Sequence, residues 1–250
     1  MSEAITRKSY QSKRYKFLNS ILDVDRSIGL EIGACDLPTV PRNLGSCDFA
    51  DLRSKEEMVQ MWNLPVEDVM DIDFLLTRDR PINQQIEKRF DYVVACHVIE
   101  HIANPIGYIN DLQRLLDPNG ARIVVLSAPD KRFTLDSTRT SVTLDHLLMD
   151  YYEDAKEPSL EHILAFARAW SPELAAVENR SLVEFFRWAK DNSVNFDAHC
   201  HVWTDEEFFG QMAVLSGNGF FAKTEILATQ PTPPGFNEFT IALRSIPGGV

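Results

Sequence analysis

The chain has 250 residues, of which 44% are apolar and 25% are charged. This composition excludes an intrinsically disordered chain and supplies enough apolar residues for one large domain with a buried core. No stretch reaches the roughly 18 to 20 apolar residues that cross a bilayer, and the N-terminus lacks the apolar core of a signal peptide. We therefore expect a soluble, cytoplasmic protein with no membrane partner.

The formal net charge is −12. Because a polyanion would be repelled by most of such a surface, we do not expect nucleic acid as a partner. The first twenty residues are the exception, with five basic side chains against the single acid Glu3, and we interpret them as a solvated helix face. The cysteines form no C-x-x-C pair, so neither a disulfide framework nor a zinc ribbon is predicted; they are Cys35, Cys47, Cys96 and Cys200.

From Ile28 onward, short apolar runs alternate with helical patterns. This alternation predicts βαβ units and an α/β fold with a parallel sheet covered on both faces. Ser54 with Glu57 forms a capping box for a helix through Trp62, and Asn104 followed by Pro105 starts another helix. The predicted strands are 27–32, 44–48, 70–74, 90–96 and 121–127.

After the fifth strand the pattern is helical, with candidate helices at 143–154, 160–170 and 172–191. An insertion that leaves from the carboxyl end of a strand typically covers a site. We therefore expect residues 130–202 to form a substrate lid within a single domain spanning 1–250. Its aromatic residues are expected to be mostly core, with one or two lining the acceptor site: Tyr151, Tyr152, Phe166, Trp170, Phe185, Phe186 and Trp188.

The α/β pattern then resumes near the C-terminus. Thr204 and Glu207 form a second capping box, ahead of a helix to about Leu215. Two further strands, 220–228 and 238–244, are predicted to form an antiparallel hairpin at the edge of the sheet.

Acidic residues lie at the predicted ends of the first three strands. A glycine in the first strand-to-loop turn lets the backbone approach a ligand, and a carboxylate ending the second strand is placed to accept ribose hydroxyls. The loop lacks the G-x-G-x-x-G pattern, so pyrophosphate binding is not predicted. The residues concerned are Glu31 and Gly33, then Asp48, then Asp73, with Asp51 and Asp71 as alternatives to the last two.

Together with these acids, the segment FDYVVACHVIEHI (90–102), the following Asn104-Pro105 and the turn LLDPNG (115–120) resemble class I S-adenosylmethionine-dependent methyltransferases, over about two thirds of the chain. The resemblance implies a Rossmann-like seven-stranded sheet with an antiparallel last strand, and S-adenosyl-L-methionine as cofactor. The cofactor-binding residues it implies are Glu31 and Gly33 near the methionine moiety, Asp48 on the ribose, Asp73 near the adenine, and Cys96. The sequence departs from the family where Ala34, Cys35 and Asp36 replace the later glycines of the first loop.

Two small groups of histidines are expected at the carboxyl edge of the sheet. His97, Glu100 and His101 have the spacing of one helix face, and His199 and His201 precede the final helix. Such side chains can hold a divalent metal, can act as a general base, or can be purely structural.

The first group also resembles the E-x-x-E-H pattern of metal-dependent O-methyltransferases of ubiquinone biosynthesis and of small-RNA 2′-O-methylation, with His97 where they have Glu. The candidate catalytic residues are His97, His101, His199 and His201. The candidate ligands of a metal are His97, Glu100, His101 and His201.

The sequence predicts a methyltransferase that acts on a small molecule or a saccharide, at oxygen rather than at nitrogen or carbon. Lys131, Arg132 and Arg139 would either neutralise an anionic substrate or form a charged hinge into the insert. The alternatives are a binding module without catalysis, a metal-assisted hydrolase, and an RNA methyltransferase, which the acidity disfavours. No feature of the sequence sets the oligomeric state.

Overall fold

The computed structural model describes residues 6–178, 183, 184, 187 and 197–247. Seven strands form one sheet in the order β3-β2-β1-β4-β5-β7-β6. Strands β1 to β5 pair in parallel, whereas β7 is antiparallel to both β5 and β6. The predicted seven-stranded, mostly parallel sheet and the final hairpin are thus confirmed. The strands are β1 (Ile28–Ile32), β2 (Ser46–Asp51), β3 (Phe74–Leu75), β4 (Tyr92–Cys96), β5 (Ile123–Pro129), β6 (Thr224–Gln230) and β7 (Glu238–Ser245).

The helices follow their predicted start signals. Ser54 and Thr204 each form the expected capping box, and the Asn104 side chain accepts the backbone N–H of Gly107. The candidates at 160–170 and 172–191 merge into one helix as far as Glu178, and most of the remainder lies outside the described residues. The helices are α1 (Arg7–Ile21), α2 (Lys55–Trp62), α3 (Pro105–Arg114), α4 (Leu144–Tyr152), α5 (Leu160–Glu178) and α6 (Asp205–Gly217).

Buried side chains cover the sheet on both faces. On one face, Ile109 of α3 and Phe208 of α6 belong to a core cluster with Leu30 and Leu126 of the sheet. On the other face, Leu18 of α1 packs in a second cluster with strand residues such as Phe49 and Val94. Because buried parallel strands carry apolar side chains on both faces, the strands appear in the sequence as nearly continuous apolar runs.

Among the predicted strand boundaries that differ from the structure, the end of β2 and the start of β3 affect the site. β2 continues through Asp51, because Phe49 and Ala50 are fully buried against β1, so Asp48 lies within the strand. β3 begins at Phe74, so Asp73 precedes this strand instead of ending it. The carboxylate at the carboxyl edge of β2 is therefore that of Asp51.

The basic N-terminal segment forms a helix, but its basic face is not fully solvated. Arg14 is buried because its guanidinium pairs with the buried carboxylate of Glu238 at the start of β7. Lys13 contacts the same carboxylate, with Nζ and Oε1 2.8 Å apart. Within the described part of the chain, no helix combines the length and the apolar character needed to span a bilayer.

Candidate functional site

The loop after β1 turns sharply at the carboxyl edge of the sheet. Gly33 has φ +73°, and a Cβ there would lie 2.6 Å from Cγ2 of Val98, so both the backbone and the space require glycine. Two residues later Cys35 adopts φ +48° without being glycine. The family that the sequence resembles has further glycines in this turn. Here Cys35 adopts the left-handed backbone conformation instead, at a cost of about 1 kcal/mol.

The carboxylate of Glu31 is fully buried and holds this same loop. Both of its oxygens accept the backbone N–H of Thr39 at 2.8 Å, and Oε2 lies 3.4 Å from the N–H of Val40. Burial raises the pKa of Glu31, although the bonds from Thr39 oppose this shift. Glu31 thus holds the loop after β1 in place, and a direct contact of Glu31 with a ligand stays a prediction.

The acids of the second and third strands have distinct surroundings. Asp48 pairs with Lys88, with Oδ2 and Nζ 2.6 Å apart. Asp73 accepts the backbone N–H of Phe49 at 2.8 Å and pairs with Arg42 at 2.6 Å.

Asp51 is half-buried at the end of β2, and the backbone N–H of Arg53 donates to its Oδ1 at 2.9 Å. Burial raises the pKa of Asp51, whereas burial and the charges of Asp36 and Asp51 raise the pKa of Cys35 to about 11. Of Asp48, Asp73 and Asp51, only Asp51 ends a strand at the carboxyl edge of the sheet, where the Gly33 turn also lies.

The end of β4 presents Cys96 and then His97. Cys96 is buried and lies 3.5 Å from the hydroxyl of Thr39, and burial raises the pKa of its thiol to about 11. His97 has φ +55°, and its Nε2 lies 2.8 Å from Oε2 of Glu238. This strained turn aims the imidazole across the carboxyl edge toward β7.

The residues that follow, 99–101, form a 3₁₀ turn, so the predicted helical face does not exist there. The Glu100 carboxylate is nevertheless 1% exposed, and its Oε1 lies 3.7 Å from Nδ1 of His97 and 3.9 Å from Nε2 of His101. Among the described residues, no group donates a hydrogen bond to Oε2 of Glu100. A buried carboxylate oxygen without a donor is costly, which marks a place where a ligand hydroxyl or cation would be stabilised.

The two predicted histidine groups meet through His101 and His199, whose rings pack edge to face with centroids 4.8 Å apart. Nδ1 of His101 lies 3.3 Å from the carbonyl oxygen of Ala198 and must donate to it, so a neutral ring has its lone pair on Nε2. Nδ1 of His199 lies 2.6 Å from Oδ2 of Asp136. Burial lowers the pKa of His199, but the bond to Asp136 and the negative charges of Glu100 and Asp136 together outweigh it, and the net shift is upward.

His201 belongs to a different group. Its Nε2 lies 3.0 Å from Oδ2 of Asp150, and burial lowers the pKa of His201 to about 4, so the ring is neutral near pH 7. The predicted ligand set of His97, Glu100, His101 and His201 therefore does not converge, because His97 turns to Glu238 and His201 turns to the insert. The ligand atoms of Glu100, His101 and His199 do lie within 4.8 Å of one another.

The sequence analysis did not identify five residues of this region, including His162. Asp136 and Glu238 gave no signal, because their partners lie far away in the chain. His146 and Asp150 have i, i+4 spacing on α4, a signal that could have been found, and both contact His162 at the start of α5.

The basic residues of the loop after β5 are already engaged by the protein. Arg132 pairs with Asp130 and Asp205, and Nη1 of Arg139 lies 2.9 Å from Oδ1 of Asp136. Lys131 donates to the carbonyl oxygen of Arg139. These contacts favour the charged hinge over a binding site for an anionic substrate.

The family model described as a methyltransferase domain matches residues 46–213. No curated protein sequence matches the chain. Among the solved structures that are similar to the chain, those with a TM-score of at least 0.5 have low sequence identity and bear on the fold alone.

An S-adenosylmethionine-dependent methyltransferase from Clostridium acetobutylicum is 8% identical, with a TM-score of 0.50 over 96% of this chain and 92% of the other. A Rhodobacter sphaeroides protein assigned provisionally to the zinc-dependent alcohol dehydrogenases is 16% identical, with a TM-score of 0.51 over 94% and 90%. The CurJ carbon methyltransferase is 15% identical, with a TM-score of 0.47 over 96% of this chain. The chain spans about half the length of that last protein, 54%.

Proposed function

Since this chain belongs to the S-adenosylmethionine-dependent methyltransferases, we propose that it methylates a hydroxyl group of a neutral small molecule or saccharide, with His101 as the general base. The observation that carries this proposal is the tautomer of His101. Its Nδ1 donates to the carbonyl of Ala198, which leaves the Nε2 lone pair 3.9 Å from Oε1 of Glu100, a carboxylate whose Oε2 has no donor among the described residues.

Two features at the carboxyl edge of the sheet support a cofactor site there, the turn at Gly33 and the carboxylate of Asp51. Gly33 removes the side chain that would otherwise fill the turn, and Asp51 supplies a half-buried carboxylate at the end of β2. We assign to Asp51 the contact with the ribose hydroxyls, in place of Asp48, which is paired with Lys88. Glu31 holds the loop, and Cys96 packs behind it.

When bound, the cofactor supplies a methyl group on a positively charged sulfur, which becomes a neutral thioether as the acceptor oxygen takes the methyl. The protein has to align the acceptor, exclude water and remove one proton. In the proposed site the hydroxyl proton passes to Nε2 of His101, and the Glu100 carboxylate stabilises the resulting imidazolium. His199, held by Asp136, is a positioning residue that packs against the His101 ring.

The charges around the site favour a neutral acceptor. Glu100, Asp136 and Asp197 lie around His101 and His199, whereas the nearby arginines are already paired with carboxylates. An anionic acceptor would be repelled by these acids, while hydroxyl groups find acceptors in them. The insert, residues 130–202, contributes His199 and Asp136, and we propose that it acts as the substrate lid.

The decisive experiment measures S-adenosylhomocysteine release with a panel of hydroxylated acceptors, for the wild-type protein and His101→Gln. A lost general base lowers kcat by about 10²- to 10⁴-fold, while calorimetric binding of S-adenosylhomocysteine stays unchanged. Asp145→Asn, an exposed change on α4, serves as control and keeps both values. If His101→Gln retains full kcat, His101 is not the base.

A second candidate role is a divalent metal held by Glu100, His101 and His199, which the convergence of their ligand atoms favours. A bound cation would acidify the acceptor hydroxyl in place of a base. A chelator distinguishes the two roles. If a metal takes part in the reaction, activity is lost on chelation and recovered with added cation, whereas a general base alone is unaffected by the chelator. A protein that hydrolyses substrates or binds the cofactor without transferring methyl groups would contradict both.

A further inference from the structure

Four side chains converge where the insert meets the rest of the domain. Nε2 of His146 and Nε2 of His162 are 2.8 Å apart, and Nε2 of His201 lies 3.0 Å from Oδ2 of Asp150. The same carboxylate oxygen is 3.3 Å from Nε2 of His146 and 3.5 Å from Nε2 of His162. One atom of each of the four residues thus points to a common centre.

Nε2 of His201 and Oδ2 of Asp150 face each other in the interior of the protein. Nδ1 of His201 lies 3.1 Å from the carbonyl oxygen of Ile102 and donates to it, so Nε2 is the ring nitrogen that faces the Asp150 carboxylate. His201 is 1% exposed and Asp150 is 7% exposed, so water does not separate them. A cation between the two atoms would be bound by the imidazole nitrogen and by the carboxylate oxygen.

The bond from His201 to the Ile102 carbonyl is also the usual arrangement of a metal-bound histidine. Such a histidine donates its second ring N–H to a carbonyl or carboxylate, which fixes the tautomer and the ring orientation. The position of the ring proton of His162 would have to change when a cation binds, because Nδ1 of His162 accepts the backbone N–H of Ser159 at 3.2 Å. Its ring proton is therefore on Nε2 in the cation-free state, and when a cation binds Nε2 this proton moves to Nδ1 and the hydrogen bond from Ser159 is lost.

The donor set is three imidazole nitrogens and one carboxylate oxygen, which suits Zn²⁺. Zinc–nitrogen bonds of about 2.0–2.1 Å in a tetrahedron put ligand atoms about 3.3 Å apart, and the observed separations of 2.8, 3.0, 3.3 and 3.5 Å bracket this value. We propose that His146, Asp150, His162 and His201 form a four-coordinate zinc site.

The role of this site is structural. Four protein ligands leave no open coordination position, and His162 and His201 are almost completely buried. The ligands come from α4, from the start of α5 and from the segment before α6. The cation would thus fasten two helices of the insert to the chain that leads back into the sheet domain. It is separate from the group of Glu100, His101 and His199, and it does not depend on the proposed methyl acceptor.

The test uses the full chain purified without a histidine tag. Elemental analysis should find one zinc per chain, and removal of zinc by a chelator should lower the melting temperature, with recovery on adding Zn²⁺. Replacement by Co²⁺ should give the strong visible absorption of a four-coordinate ion. Chelated protein that binds neither Zn²⁺ nor Co²⁺ while remaining folded would overturn the proposal.

Variants locate the ligands. His146→Gln should lower zinc affinity by more than the roughly 10- to 100-fold that loss of an outer partner costs, and its half-buried position makes the change tolerable for folding. Asp145→Asn on the same helix and His101→Gln in the other group should keep one zinc per chain. Zinc lost in His101→Gln and kept in His146→Gln would place the metal elsewhere and overturn the assignment.

Discussion

Arg14 and Glu238 lie 224 positions apart in the chain and form a buried ion pair, with Nη2 2.5 Å from Oε2 and Nε 3.1 Å from Oε1. The same carboxylate accepts a hydrogen bond from His97 at 2.8 Å and contacts Lys13. This network joins α1, β7 and the end of β4. Since His97 stands at the carboxyl edge of the sheet, the N-terminal helix supports the wall of the candidate site.

Glu238→Gln should destabilise the protein by about 3–5 kcal/mol at pH 7, because it leaves buried cations without their anion. Burial alone would raise the pKa of Glu238, but hydrogen bonds from His97 and Arg14 outweigh it and hold the pKa far below its ordinary value of 4.5. The carboxylate's contribution is therefore complete above pH 4.5 and is lost as the pH falls toward the folded-state pKa. Urea unfolding should show the gap between variant and wild type narrowing below pH 4.5.

The control for this change is Glu225→Gln on β6. Glu225 pairs with Arg244, but both side chains are more than 40% exposed, at 41% and 47%. Exposed pairs contribute about 0–1 kcal/mol, so this variant should unfold close to the wild type at every pH. An equal loss in both variants would contradict a special role for the buried network.

Asp51→Asn should weaken binding of S-adenosylhomocysteine by about 10- to 100-fold, the cost of a lost charge-assisted hydrogen bond of about 1.5–3 kcal/mol. Asp48→Asn should bind normally, because Asp48 lies within β2 and pairs with Lys88. Isothermal calorimetry on both variants decides between them. If only Asp48→Asn weakened binding of S-adenosylhomocysteine, the ribose contact would belong to Asp48, as predicted from the sequence.

The sheet could be predicted because its strands are buried on both faces and separated by capped helices. The ends of the strands could not be predicted, because apolar runs do not show where backbone pairing stops. Phe49, Ala50 and Asp51 belong to β2 because they pair with residues of β1 or β3. The choice between Asp48 and Asp51 depended on that one boundary.

The site was predictable where the chain itself brings residues together. Glu100 and His101 are adjacent, so their proximity follows from the sequence. The partners Glu238 and Asp136 were not predictable, because they reach His97 and His199 only through the order of the strands and the fold of the insert. His162 lacked any spacing signal, as its partners lie on α4 and before α6.

Arg132→Gln should lower the melting temperature and leave the acceptor KM unchanged. The guanidinium is held between Asp130 and Asp205, and Asp130 is fully buried, so the loss should cost about 1–3 kcal/mol of stability. Arg26→Gln, at an exposed pair with an 87% exposed guanidinium, is the matched control and should have little effect. A raised KM with unchanged stability would show that Arg132 binds an anionic acceptor.

Gly33→Ala should damage both stability and cofactor binding. The added Cβ must occupy a left-handed backbone conformation and would lie 2.6 Å from Cγ2 of Val98, so the loop after β1 has to move. We expect a loss of about 1–3 kcal/mol and a weaker affinity for S-adenosylhomocysteine, measured by thermal unfolding and calorimetry. Gly210→Ala, in the middle of α6 where a Cβ meets no atom within 4 Å, should instead stabilise the protein by about 0.5–1 kcal/mol without changing affinity. If Gly33→Ala binds S-adenosylhomocysteine as tightly as Gly210→Ala does, the turn after β1 does not form the cofactor site.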